Sequence, residues 1–175
     1  MCGPSFVWRF PMTRILLSVR AAGAEDSRHD QKWVEVADAD VIRRTIAQSL
    51  GGSHQEGAQD WCVLAYEGLP DFGPHPDLDE LLAWLDAVDE YGPAFEALWA
   101  TGAFGRVLQA AEAFADSYQG TYADAASWAS HTLALLGHRI DAQTDLDAYA
   151  RASVAKGRVR LMPAVDGGIH VFWND

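Results

Sequence analysis

The chemistry-bearing residues of this chain are concentrated between Pro76 and Gly102, in the stretch PDLDELLAWLDAVDEYGPAFEALWATG. It contains seven carboxylates and no Lys or Arg. Carboxylates can work in pairs as general acid and base, or they can present negative charge to a cationic partner. No pair here is separated enough from its neighbours to favour acid–base catalysis. The stretch therefore indicates a binding surface rather than a catalytic centre.

The spacing of three carboxylates in this stretch suggests which partner such a surface would suit. On a helical wheel Asp79, Asp86 and Glu90 cluster on one flank of an apolar stripe, with Glu80 on the far side. Their steps along the axis are about 10.5 Å and about 6 Å at the rise of an α-helix. Phosphates of one DNA strand advance about 3.4 Å each, so these steps lie near three and two phosphates. The spacing is compatible with imitation of a DNA backbone.

Other catalytic or metal-binding patterns are weak. His131 and His138 could share a helix face, but nothing nearby completes a metal shell. Cys62 lies in an apolar run typical of a strand, which favours a packed thiol over a nucleophile. His170 alternates with apolar neighbours near the end of the chain, so we expect it to face solvent or a partner. The sequence contains no GxSxG, HExxH or P-loop motif. We therefore expect no enzyme activity, no metal and no cofactor.

The distribution of charge is more informative than its total of −12. Residues 1–56 carry seven acids and seven bases, and residues 139–175 carry five of each. Residues 57–138 carry thirteen acids and one base, Arg106, so 13 − 1 accounts for the whole excess. Such charge disfavours nucleic acid or an anionic membrane as partner, and no apolar run is long enough for a transmembrane helix. We expect a cytoplasmic protein.

An ordinary structural explanation covers part of this charge. Asp77 and Glu80 fit a capping box, and acids near helix starts are favoured by the helix dipole. Many acidic helix faces are merely solvated. Stable helices normally mix charges for i,i+4 support, however, and the near absence of bases over 82 residues departs from that pattern. The missing bases favour a functional surface.

The hydrophobic pattern predicts an α+β protein with a small antiparallel sheet module, a helical module and a mixed helix and β-hairpin module. The predicted divisions are an extension over 1–11 with Met12 as a plausible native start, then modules over 12–70, 71–103 and 104–175. Predicted strands cover 14–19, 32–36 and 61–68, followed by a Pro-rich boundary over 69–76. Predicted helices cover 41–50, 77–91, about 95–102, 104–117, 121–137 and 144–157, with caps at Asp40, Asp77, Thr121 and Thr144. The closing hairpin turns at Asp166-Gly167.

Four segments in this order resemble the ArdA-type antirestriction proteins. WCVLAYEGLP and PDLDELLAWLDAVDEYGPAFEAL are similar to that family's W-x-I-x-D-Y-E-G-F and L…EYGEAF patterns. FADSYQGTYADAASWASHTL resembles its F…aYqGeYdSleda segment, and DLDAYARASVAKGRVRLMPAVDGGIHVFWN its closing segment. The match covers about residues 58–175.

The resemblance implies an elongated, usually dimeric, acidic protein carried by mobile elements or phages. It further implies a mimic of duplex DNA that occupies the DNA-binding groove of a type I restriction–modification enzyme. The partner is then a protein, with no nucleic acid and no membrane involved. The expected acidic surface consists of Asp79, Glu80, Asp86, Glu90, Glu96, Glu112 and Asp116.

The N-terminal part departs from the family pattern. It has Arg20, Arg28 and Lys32 and lacks the Tyr-Asn turn, and Ala65 stands where the family usually has Asp. Whether this neutral part takes part in mimicry is left open. Other readings are an acidic regulator that binds a basic protein without mimicking DNA, another anti-defence role, an enzyme that uses the histidines or the acidic region, and a family member that keeps only the fold.

Overall fold

The computed structural model describes residues 13–20, 30–51 and 60–174. Six helices and two three-stranded antiparallel sheets are found among these residues, which confirms the predicted α+β class. The chain divides into two compact units, Met1–Leu85 and Asp86–Asp175. The predicted extension 1–11 and Met12 lie outside the described residues, and the finer division into three modules stays a prediction.

Unit 1 is built on a sheet of three strands in the order β2-β1-β3. Its elements are β1 (Arg14–Arg20), β2 (Asp30–Glu35), α1 (Ala39–Gly51), β3 (Asp60–Glu67) and the first part of α2 (Leu78–Tyr91). Alternate strand residues such as Ile15, Leu17 and Val63 are buried on one face. That face packs with apolar residues of the two helices, including Ile42 and Leu81. The three predicted strands of this unit are confirmed.

Helix α1 begins at Ala39, two residues before the predicted start at residue 41. Asp38, not Asp40, is the N-cap: its Oδ1 accepts a hydrogen bond of 2.8 Å from the Asp40 backbone N–H. Asp40 lies in the first helical turn instead, where its charge is favoured by the helix dipole. Val41 is exposed, while Ile42 and Ile46 are buried.

The Pro-rich segment 69–76 belongs to unit 1 and returns along β3. The Val63 N–H donates to the Pro74 carbonyl at 2.8 Å, and the Tyr66 hydroxyl donates to the Gly73 carbonyl at 2.5 Å. Burial, with the charge of Asp71 second, raises the pKa of Tyr66 to about 12. The bond from the Val63 N–H satisfies part of the free edge of β3.

Helix α2 begins and ends where its sequence predicts. The Asp77 carboxylate accepts a hydrogen bond of 2.9 Å from the Asp79 N–H, which confirms Asp77 as the cap. Gly92 ends the helix with φ of 69°, a left-handed conformation that glycine adopts at low cost. The boundary between the two units falls within this helix, after Leu85.

Unit 2 combines the remaining helices with a second sheet in the order β4-β6-β5. Its further elements are α3 (Pro93–Trp99), α4 (Val107–Ser117), β4 (Tyr118–Tyr122), α5 (Ala125–Leu135), α6 (Leu146–Ala155), β5 (Val159–Pro163) and β6 (Ile169–Trp173). The predicted hairpin is confirmed as β5–β6, and Pro163 lies on the edge strand β5, where a residue without an N–H is tolerated.

Aromatic side chains connect the helices of unit 2 to its sheet. Phe114 of α4 stacks on Tyr91 with ring centroids 4.7 Å apart and on Tyr118 at 4.5 Å. Phe172 of β6 meets Phe114 edge-on at 5.7 Å. A second cluster around Trp128, Ala150 and Val171 holds α5 and α6 on the sheet. Such contacts add about 0.5–1.5 kcal/mol per aromatic pair beyond area burial.

The predicted helix over 121–137 is wrong at its start. Thr121 lies in β4, a strand that the sequence pattern did not predict, and Asp124 caps α5 by accepting from the Ser127 N–H at 2.7 Å. The predicted cap Thr144 is also wrong, because Asp145 caps α6 by accepting from the Ala148 N–H at 2.8 Å. Helix α4 begins at Val107 rather than at residue 104, and its Leu108 is 67% exposed.

Candidate partner-binding surface

The seven carboxylates predicted to form the acidic surface fall into both units. Two lie in unit 1 on the first turn of α2, and five lie in unit 2 on α2, α3 and α4. The unit 1 pair is Asp79 and Glu80, and the unit 2 set is Asp86, Glu90, Glu96, Glu112 and Asp116. Their role in binding stays a prediction, and their surroundings differ sharply between the two units.

In unit 1 the Asp79 carboxylate already has a cation. Although the Asp79 side chain is 76% exposed, its Oδ1 lies 2.6 Å from Nη2 of Arg43 on α1. The other guanidinium nitrogen of Arg43 lies 3.4 Å from Asp40 Oδ1. The hydrogen bond to Asp79 and the charge of Asp79 raise the pKa of Arg43. Asp79 therefore links two helices and is not an unpaired charge.

A second arginine of unit 1 acts in the same way. Arg14 Nε lies 2.6 Å from Glu67 Oε2, and its guanidinium carbon lies 4.9 Å from the centre of the Trp33 ring. Glu80 is only half-exposed, in the first turn of α2. Two of the bases counted in the N-terminal part of the sequence, Arg14 and Arg43, thus pair with acids that belong to the acidic block.

In unit 2 two helices present exposed carboxylates four residues apart. Asp86 and Glu90 lie on α2, and Glu112 and Asp116 lie on α4. Both pairs are therefore separated by about 6 Å along their helix axis, close to two phosphate steps of a DNA strand. Among the described residues, Asp86, Glu112 and Asp116 have no side-chain hydrogen bond or ion pair. These carboxylates are available to an external cation.

Two further carboxylates of unit 2 refine the predicted set. Glu96 is half-buried in the first turn of α3, and this burial raises its pKa, so it is the least suited member for surface charge. Asp89 is exposed and has no side-chain hydrogen bond or ion pair in the described part of the chain. The signal that identifies Asp89 is its spacing of three residues from Asp86.

Glu90 differs from the other exposed acids because it has a neighbour on its own helix. Burial raises the pKa of Tyr91, and the charge of Glu90 and the hydrogen bond to its carboxylate add to this. The Tyr91 ring is itself held by Phe114, with ring centroids 4.7 Å apart. Glu90 is therefore next to a packed aromatic ring at the end of α2.

Three side chains that could do chemistry take part in hydrogen bonds or packing instead: His131, His170 and Cys62. The prediction that His170 faces solvent or a partner is wrong: it is 5% exposed, and its Nδ1 lies 2.8 Å from Thr121 Oγ1. His131 Nδ1 lies 2.8 Å from the Tyr122 hydroxyl, and Cys62 is a half-buried free thiol. Within the described ranges, no three His, Cys, Asp or Glu side chains are placed to hold a metal ion.

A depression is found in each of the two units. In unit 1 a cavity of about 410 Å³ runs between β3 and the Pro-rich segment, beside Tyr66 and Asp71. In unit 2 a cavity of about 300 Å³ lies between the end of α4 and the sheet, beside Asp116, Arg160 and Trp173.

No helix in the described part of the chain is long and apolar enough to cross a membrane.

These features define a small acidic α+β protein that presents exposed, unpaired carboxylates on helices of its second unit. The family model of the antirestriction protein ArdA matches residues 25–164, and the chain belongs to this family. The match extends further towards the N-terminus than the resemblance read from the motifs alone. A comparison with curated proteins gives no match.

Proposed function

We propose that this antirestriction protein mimics duplex DNA and occupies the DNA-binding groove of a type I restriction–modification enzyme. The observation that supports this most directly is the pair of exposed i,i+4 carboxylates on each of two helices of unit 2, Asp86 with Glu90 and Glu112 with Asp116. The proposal places the protein in the cytoplasm, where restriction enzymes act. As the family resemblance implies, it acts as a homodimer.

The mechanism requires no chemistry beyond electrostatics and geometry. A DNA-binding groove presents Lys and Arg side chains at positions that match phosphates. Carboxylates fixed on helices can bind those cations without the ordering cost of a flexible polyanion. The net charge of −12 also accelerates diffusional encounter with a basic groove, an effect that salt weakens.

The arrangement within unit 2 favours rigid presentation of charge. Helix α4 carries Glu112 and Asp116 on its exposed side while Val107, Ala110 and Phe114 are buried beneath it. Helix α2 is held in unit 2 by the Tyr91–Phe114 ring contact. The carboxylates therefore project from helices whose opposite faces are packed, which limits the side-chain freedom lost on binding.

The second candidate function is an acidic regulator that binds a basic protein at a site other than a DNA groove. The charge distribution is compatible with it, because any strongly basic surface attracts carboxylates. The two candidates differ in competition: a mimic and duplex DNA exclude each other, whereas a regulator bound elsewhere leaves the DNA site open.

The experiment measures inhibition of a purified type I restriction–modification enzyme at increasing duplex DNA concentration. Competitive inhibition, with an apparent inhibition constant that rises linearly with DNA, is expected. Inhibition that does not change with DNA concentration would establish the regulator reading, and absence of inhibition of type I enzymes would overturn the proposed target.

A further inference from the structure

One residue of unit 1 occupies the position that a partner's cation would take. Arg43 Nη2 donates to Asp79 Oδ1 at 2.6 Å, although both side chains are at least half-exposed, at 50% for Arg43 and 76% for Asp79. Residue 43 is on α1 and residue 79 is on α2, so the contact joins two helices. In the free protein the charged group next to the Asp79 carboxylate is therefore the guanidinium of Arg43.

Of the two adjacent arginines on α1, Arg43 contacts the Asp79 carboxylate and Arg44 does not. The adjacent Arg44 donates from Nε to the Asp40 backbone carbonyl at 3.1 Å and has no carboxylate contact among the described residues. Arg43 lies between two carboxylates, with Asp40 at 3.4 Å as well as Asp79. The two arginines carry the same charge on the same helix, but among the described residues only Arg43 forms ion pairs with carboxylates.

An exposed ion pair can be displaced, but displacement has a cost. A partner Lys or Arg that approaches Asp79 must either compete with Arg43 for the same carboxylate oxygen or meet the repulsion of a like charge. Exposed pairs of this kind correspond to a factor of about 1.4 to 5 in an equilibrium constant. The contact is therefore strong enough to weaken binding measurably and weak enough to be exchanged.

We propose that Arg43 is an internal competitor for Asp79, which attenuates binding of the cationic partner surface to unit 1 and leaves recognition to the unpaired carboxylates of unit 2. This inference rests on the proposed function, since it concerns how the same acidic surface meets a Lys- and Arg-lined groove. Arg43 is then a specificity-determining residue and has no catalytic part.

The test compares Arg43→Gln with Arg44→Gln in the full-length protein. Both substitutions remove one positive charge from α1 and introduce a good helix former, so they change the long-range field equally. The readout is the inhibition constant against a type I restriction–modification enzyme at fixed DNA and salt. Arg43→Gln is expected to inhibit about two- to fivefold more tightly than Arg44→Gln, the range of an exposed ion pair.

Two further variants assign the effect to the contact itself. Asp79→Asn in the wild-type background should change the inhibition constant by less than about twofold, because its charge is already paired. In the Arg43→Gln background, Asp79→Asn should remove the gain. Arg43→Lys keeps the cation and should resemble the wild type, and urea denaturation of each variant excludes loss of folding as the cause.

The outcomes separate this inference from the proposed function. If the wild type inhibits but Arg43→Gln and Arg44→Gln have equal constants, the internal competitor is overturned while the DNA-mimic proposal stands. A gain in Arg43→Gln that survives Asp79→Asn would also overturn it. If the wild type does not inhibit any type I enzyme, the proposed function fails and this inference fails with it.

Discussion

Thr121 of β4 and His170 of β6 face each other across the second sheet, with Thr121 Oγ1 2.8 Å from His170 Nδ1. The Tyr118 hydroxyl lies 2.8 Å from the same threonine oxygen, so three side chains form one hydrogen-bonded chain. His170 Nε2 is buried and has no hydrogen-bond partner among the described residues. An imidazole in this setting is favoured in its neutral form, because a buried cation loses hydration.

The first prediction concerns pH. Burial lowers the pKa of His170 from its ordinary value of about 6.5, and the charge of Asp166 opposes this to a smaller extent. Between the two pKa values the unfolded chain binds a proton that the folded chain does not. The stabilising contribution is therefore complete above about pH 6.5 and is lost progressively as the pH falls below it.

Urea denaturation at pH 7.5 and pH 5.5 measures this effect. His170→Gln should reduce the loss of unfolding free energy between these two pH values compared with the wild type. His138→Gln is the matched control, because His138 is exposed, and it should leave the loss unchanged. Equal pH dependence in the wild type and His170→Gln would contradict the prediction.

The second prediction concerns the close approach of the hairpin turn to β4. A Cβ atom at Gly168 would lie 2.6 Å from the backbone oxygen of Tyr122, which cannot move without disturbing the sheet. Gly168→Ala should therefore lower the free energy of unfolding by about 1–3 kcal/mol, the usual cost of overpacking. At Gly105 a Cβ would meet nothing within 4 Å. Gly105→Ala should change stability by less than about 1 kcal/mol, and equal melting temperatures for the two variants would disprove the steric argument.

The third prediction separates the two faces of α4. Phe114 is buried against four aromatic rings, so Phe114→Ala should cost about 3–5 kcal/mol of unfolding free energy. Leu108 is 67% exposed, so Leu108→Gln should change stability by no more than about 0.5 kcal/mol. Chemical denaturation of both variants checks this, and a large loss in Leu108→Gln would show that Leu108 is buried in solution.

The fourth prediction tests the carboxylate pairs of unit 2. Asp86→Asn with Glu90→Gln, or Glu112→Gln with Asp116→Asn, should each weaken inhibition about tenfold at low salt, because both members meet cations of the groove. The salt dependence of the inhibition constant should become shallower in the same variants.

The matched control for these pairs is Asp145→Asn with Asp147→Asn. It removes the same amount of charge from unit 2 but from the start of α6, and Asn retains the capping bond at position 145. This variant should inhibit nearly as well as the wild type. If it loses as much inhibition as the α2 and α4 variants, total charge rather than position governs binding.

Local signals predicted much of the fold. Alternation identified the strands of unit 1, the Asp-Gly turn identified the β5–β6 hairpin, and Asp77 and Gly92 marked the ends of α2. Each of these depends on neighbours within a few residues. Strand β4 was missed because YQGTY is short and contains glycine, and it forms a strand only by pairing with residues 169–172, far along the chain.

The candidate surface likewise has some features that local sequence predicts and others that depend on how the helices pack. The helical spacing of Asp86 and Glu90 was available from the sequence, and both are exposed as expected. The pairing of Asp79 with Arg43 was not, because the two residues are 36 positions apart and meet only when α1 and α2 pack. Likewise, the half-burial of Glu96 depends on how α3 packs within unit 2, which no local pattern of charge reports.

The acidic residues of this chain include aspartates that cap helices as well as candidates for partner binding. Asp38, Asp77, Asp124 and Asp145 each accept a backbone hydrogen bond at the start of a helix. Asn serves equally well at such positions, so all four could be replaced with the helix starts intact, and the formal charge would change from −12 to −12 + 4 = −8. If the carboxylates of unit 2 bind the partner as proposed, folding and inhibition depend on the same residue type at separable positions. Two such proteins with the same isoelectric point would then differ as inhibitors according to where their carboxylates lie.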